Sequence, residues 1–131
     1  MAALPEAVDC VVMAVPSAQT EAVLAECAAA GAGAAVLFAA GYAETQTPAG
    51  REAQQRLAAT AAAAGMRLLG PNCVGFANFG LNLRASFAEF PTPVPVAARR
   101  IGLVSQSGAL ALVLSQASLR GVAFTHVLTC G

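Results

Sequence analysis

The sequence predicts an α/β protein: a parallel β-sheet with helices on its faces, followed by the start of a second α/β domain. Short apolar, β-branched runs alternate with alanine-rich segments of helical length, and each run stops at a small, glycine- or proline-bearing turn. After residue 74 both patterns dissolve, and a strand, a turn and a helix resume at Ile101.

Val8 to Val15 (VDCVVMAV) is the first such run, as expected of a strand covered on both faces of a parallel sheet. Pro16-Ser17 closes it. Ser17 reads as the N-cap of a helix reaching about Ala30, with Glu21 in the first turn suiting the dipole and Gly31 and Gly33 ending it. Val23, Leu24 and Cys27 share its buried face. Ala34 to Ala40 is a second buried strand, followed by the turn Gly41-Tyr42-Ala43-Glu44. Thr47 caps a helix with proline at its first position, running from about Pro48 to Ala64 and stopped by Gly65. Met66 to Leu69 is a short third strand that ends at Gly70-Pro71-Asn72-Cys73. Right-handed crossovers make these three strands parallel.

From Val74 to about Arg100, Pro91, Pro93 and Pro95 favour an extended connection, and a domain boundary is expected in this stretch. Then come a strand at Ile101 to Ser105, a helix from Ser107 or Gly108 to about Leu119 closed by Arg120-Gly121, and a strand at Val122 to Leu128. Thr129-Cys130-Gly131 follows without a closing element. Both ends read as cut.

Composition narrows the function. Seven Arg, no Lys and seven acids give zero formal charge in 131 residues, so no basic patch tracks a nucleic-acid backbone. The longest uncharged runs, Cys27 to Ala43 and Ile101 to Leu119, are broken by Gly, Ser or Gln and read as buried core, not membrane spans. With no N-terminal signal pattern, a soluble, cytoplasmic protein without membrane or nucleic-acid partners is expected. Cys10, Cys27, Cys73 and Cys130 lie far apart; Cys10 and Cys27 read as small core hydrophobes, and a reducing compartment fits.

Ligands of open α/β sheets bind beyond the carboxyl ends of the strands. Here those ends are Pro16-Ser17, Gly41 to Glu44, Gly70 to Cys73 and Ser105-Gln106-Ser107-Gly108. The last is a strand feeding a turn that opens a helix, an anion site without a cation, although the two serines could equally serve as caps alone. Asn72 can donate to and accept from a neutral amide ligand. Cys73 either packs its turn or lines a ligand channel, with no neighbouring Lys or His to make it a nucleophile. Glu44 reads most simply as solvated, and the lone His126 as a partly buried or strand-edge imidazole. No metal-ligand cluster stands in the sequence. G-x-G-x-x-G is absent, which disfavours a nicotinamide dehydrogenase, and Ser107 lacks partners for a hydrolase triad.

Pro5-Glu-Ala-Val-Asp-Cys-Val-Val-Met-Ala-Val-Pro16, Gly41-Tyr-Ala-Glu44, Leu69-Gly-Pro-Asn-Cys-Val-Gly75 and Ile101 to Ala109, in this order, resemble the NDP-forming acyl-CoA synthetases, relatives of the succinyl-CoA synthetase alpha subunit. The resemblance implies that residues 1–79 are part of a Rossmann-like CoA-binding domain, 80–99 a proline-containing linker, and 100–131 the start of a flavodoxin-like domain. It implies an acid–CoA ligase that works through an acyl phosphate and a phosphohistidine. Pro16, Ser17, Gly41, Tyr42 and Glu44 would border CoA, the substrate, with Asn72 and Cys73 near its pantetheine arm. Ser105, Ser107 and Gly108 would hold the phosphoryl group. His126 does not match the family's phosphorylated histidine, and ATP, ADP and Mg would be bound only in a full-length parent. The partners implied are CoA or acyl-CoA and the remaining synthetase domains, including an ATP-grasp part, in cis or as a separate subunit. A chain of this kind is expected to be an internal fragment, inactive alone. The same resemblance admits a non-catalytic CoA-binding or sensing module, such as the synthetase-like part of a protein acetyltransferase.

Overall fold

The computed structural model describes residues 6–91 and 100–131, so Pro5, Pro93 and Pro95 lie outside the described residues. The chain divides into two compact units, Met1–Asn72 and Cys73–Gly131.

The first unit runs β1 (Cys10–Met13), α1 (Ser17–Ala29), β2 (Ala34–Leu37), a 3-10 turn (Ala43–Thr45), α2 (Pro48–Ala63) and β3 (Arg67–Leu69). Its strands are parallel in the order β1-β2-β3, with Val11 opposite Ala35 and Ala35 opposite Leu68. One core gathers Met13, Ala35 and Leu37 from the strands, Leu24 and Cys27 from α1, and Leu57 and Ala61 from α2. Both helices therefore cover one face of the sheet, because right-handed crossovers that step in one direction deposit their helices on the same side. Leu24, Leu37 and Leu57 are fully buried, and each such side chain contributes about 1.5–3 kcal/mol.

Two expectations change here. Among the described residues β1 lies at one end of its sheet and is not covered on both faces, since its Cys10 and Val12 are exposed. Ser17 is the first helical residue instead of the N-cap; Pro16 holds the cap position, and no side chain caps α1. Thr47 does cap α2, its hydroxyl accepting from Gly50 N at 3.1 Å.

The second unit holds β4 (Gly75–Asn78), β5 (Leu83–Ser86), β6 (Ile101–Ser105), α3 (Gly108–Ser115), a 3-10 turn (Gln116–Arg120) and β7 (Phe124–Thr129). The sheet order is β5-β4-β7-β6. β6 and β7 are parallel across α3, whereas β4 runs antiparallel to both β5 and β7. Ala77, Phe90, Ala111, Phe124 and Val127 form its core. The β4–β5 hairpin lies in the stretch expected to be a connection, and compactness divides the units at Asn72/Cys73. Its strands are built from Gly, Ala, Asn and Ser beside a few large residues, types with little strand preference, and cross-strand pairing with β7 supplies what propensity lacks. The α-helix also ends before Leu119. Buried Ser115 donates back to Leu112 O at 2.8 Å, the final turn tightens to 3-10, and Gly121 at φ +89° closes it.

Candidate functional site

At the carboxyl end of the first unit's sheet, the predicted residues of two loops come together. The chain leaves β1 through Pro16, whose carbonyl accepts from Gln19 N at 2.9 Å and from the buried Thr20 hydroxyl at 3.2 Å. Ser17 stands exposed at the first position of α1. Gly41, at φ +109°, lies beside it: a Cβ at Gly41 would sit 3.6 Å from Ser17 Oγ. The uncapped first turn of α1, with its N–H groups and partial positive charge, thus opens beside a wall that carries no side chain.

Glu44 is not a freely solvated acid. Its carboxylate accepts from the N–H of Gly41 and, at 3.0 Å, from that of Tyr42. Burial pushes the carboxyl up, but the N–H groups of Gly41, Tyr42 and Glu44 itself outweigh it and hold the pKa below its ordinary value. Tyr42 is 4% exposed and belongs to the core, with its hydroxyl 3.5 Å from Ser17 O. It braces the site from beneath and offers no ring to a ligand. Asn72 sits at φ +56° after the cis Gly70–Pro71 peptide, its N–H donating to Ala39 O at 2.9 Å while the residue stays exposed.

In the second unit Cys73 is 2% exposed, which favours packing of the turn over lining a channel. Ser105 Oγ donates to Ser107 O at 2.8 Å, and Ser107 Oγ accepts from Leu110 N at 3.2 Å. Both serines shape the turn and cap α3. Gly108 opens the helix against Val74, where a Cβ would overlap Val74 Cγ2. His126 is exposed on β7. Among the described residues no three His, Cys, Asp or Glu side chains cluster as metal ligands, no helix is long and apolar enough to cross a membrane, and no cysteine is in a disulfide.

The profile of the family described as CoA binding domain matches residues 1–78, more than half of the chain. The chain belongs to the CoA-binding domain family. It is 41% identical over 119 residues to a trans-feruloyl-CoA synthase from an unknown prokaryotic organism, covering 89% of this chain and 16% of that protein. It is 33% identical over 125 residues to an ADP-forming acetate–CoA ligase of Methanocaldococcus jannaschii, covering 95% of this chain and 17% of the relative. A crystal structure from Pyrococcus horikoshii OT3 superposes with a TM-score of 0.88 at 28% identity, over 98% of this chain and 28% of the other. The apo dinucleotide-forming acetyl-coenzyme A synthetase 1 of Ca. Korarchaeum cryptofilum gives 0.84 at 30% identity, over 98% and 27%. The resemblance read from the sequence motifs is therefore borne out, and the chain spans 16–17% of the length of these two curated relatives.

Gln54 and Gly50 in the CoA-binding domain, and Thr129 in the second unit, also shape these turns. Gln54 of α2 accepts from Ala43 N at 3.1 Å and pins the Gly41–Thr45 loop. Gly50 leaves room for that loop, since a Cβ there would overlap Tyr42 O and Thr45 Oγ1. A glycine inside a helical pattern was the available signal for Gly50. For Gln54 no local signal existed. Thr129, fully buried at the end of β7, lay just beyond the strand expected to stop at Leu128.

Proposed function

We propose that this chain supplies CoA-binding loops to an ADP-forming acid–CoA ligase and holds CoA at the carboxyl ends of β1 and β2. The observation that carries the reading is the uncapped start of α1 beside Gly41, where N–H groups and a helix dipole suit a CoA phosphate. Pro16, Ser17 and Gly41 border the ligand, Tyr42 supports them from the core, and Glu44 holds the Gly41–Tyr42 backbone in place. Exposed Asn72 offers its amide to the pantetheine arm. Cys73 packs the turn that follows. In the second unit, Ser105, Ser107 and Gly108 form the helix start that receives a phosphoryl group.

The second unit also supports a partner. α3 is apolar around its circumference, with Ala111 buried against the sheet and Leu110, Val113 and Leu114 exposed, and a helix of that kind belongs between two layers. The remaining synthetase domains, including an ATP-grasp part that takes ATP or ADP with Mg, would supply the missing layer, in cis or as a separate subunit. Thiols without disulfides suit a reducing cytoplasm.

Calorimetric titration with CoA tests the site. The chain should bind CoA saturably, and Ser17→Glu should weaken binding about fivefold or more, since a carboxylate in the first turn competes for the dipole. The same substitution should hold or raise the melting temperature, because an acid there stabilises the helix. Equal affinity in the variant, or no binding by the parent, would count against the proposal.

A further inference from the structure

Thr129 is 0% exposed, and its hydroxyl uses its full hydrogen-bonding capacity on one turn. Oγ1 accepts from Val74 N and from Gly75 N, each at 2.9 Å, and donates to Gly75 O at 2.9 Å. The β4–β7 ladder begins only at the next pair, Phe76 opposite Leu128. The side chain therefore continues the pairing where the two backbones stop.

The same residue faces the other turn. Thr129 stands opposite Ser105 in the parallel β6–β7 register, and Cys130 N donates to Ser105 O at 3.0 Å. Val74, held by Thr129, is also the residue against which Gly108 packs without room for a Cβ. Gly75, at φ +111°, is closed in from its other side by the backbone of Ala85 and Ser86. The Val74–Gly75 turn is thus gripped between the end of β7, the hairpin and the start of α3, all within the second unit.

We propose that Thr129 is a positioning residue: its hydroxyl clasps the Val74–Gly75 turn so that the Ser105–Gly108 turn keeps the geometry in which α3 receives a phosphoryl group. This rests on the phosphoryl-binding reading of that turn. Thr129 touches no ligand itself. Removing the hydroxyl while keeping the shape leaves the buried N–H and carbonyl of Gly75 and the part-buried N–H of Val74 without this partner, and Val74 is then free to shift under Gly108.

Thr129→Val and Thr129→Ser in the 131-residue chain separate positioning from bulk packing. Amide exchange is followed at Val74, Gly75 and Leu110, and inorganic phosphate is titrated while the Ser107, Gly108 and Ala109 amides are monitored by NMR. The valine variant should lose roughly tenfold in protection at Val74 and Gly75, lose protection at Leu110, and need about fivefold more phosphate for the same response. The serine variant should match the parent in all three. Phosphate binding by the valine variant as tight as the parent's would overturn the proposal. So would a uniform loss of protection across β4 to β7, or a serine variant that fails to rescue. If the parent itself shows no phosphate response, the phosphoryl reading fails on its own. Leu110 exchange then decides whether the clasp reaches α3: faster exchange in the valine variant alone sustains it, and unchanged exchange overturns it.

Discussion

Glu44 commits both carboxylate oxygens to the N–H groups of its own loop, so the loop's shape is tied to one titration. Because folding lowers this pKa, the ionised carboxylate stabilises the loop at every pH above its unfolded-chain value, and that contribution fades as the pH falls through the folded value. Protection of the Gly41 and Tyr42 amides, corrected for intrinsic exchange, should therefore fall on acidification. Glu44→Gln should show lower protection at neutral pH and no such pH dependence; coincident profiles for parent and variant would rule the tie out. Tyr42 and Cys73 teach the converse lesson. A residue type suited to ligand contact was legible in the sequence, but the direction of the side chain depends on what packs around it, and both are buried. Glu44, Ser105 and Ser107 were legible as loop and turn residues, whereas their partners are neighbouring backbone atoms whose positions depend on the turn.

Among the elements, α2 carries the sharpest consequence. Alanine is favoured over glycine within a helix by about 1 kcal/mol, so propensity alone says that Gly50→Ala stabilises. Gly50 lies under the Tyr42 carbonyl and the Thr45 hydroxyl, with no room for a methyl group. Overpacking of this kind costs about 1–3 kcal/mol, and the variant should lose about 1 kcal/mol net in urea unfolding followed at the Leu57 amide. A gain in stability would show that the loop yields freely. The helices and parallel strands were legible because their apolar periodicity, caps and glycine stops are local. The β4–β5 hairpin was not, since Phe76 and Ala77 are strand residues through their pairing with Leu128 and Val127, far along the chain. The helical face of the first core was legible as well, with Leu24 and Cys27 buried as expected. That both helices share one side of the sheet follows from strand order, which periodicity does not encode.

At the scale of the whole molecule, a chain that spans 16% and 17% of the two curated relatives compared above should not turn over alone. Incubated with acetyl-CoA, phosphate and ADP, the chain should form no ATP above background in a luminescence assay, even where calorimetry registers CoA binding. Sustained ATP formation would place a complete catalytic set within these residues. The family match ends at Asn78, the last residue of β4, whereas compactness divides the chain at Asn72. β4 therefore falls within the family match yet hydrogen-bonds into the sheet of the second unit. An expression piece cut where the family match stops would carry β4 as an orphan strand and leave β5, in the following piece, without the strand that joins it to β7. For grafting or recombining such modules, the seam that leaves both sheets whole is the peptide bond after Asn72.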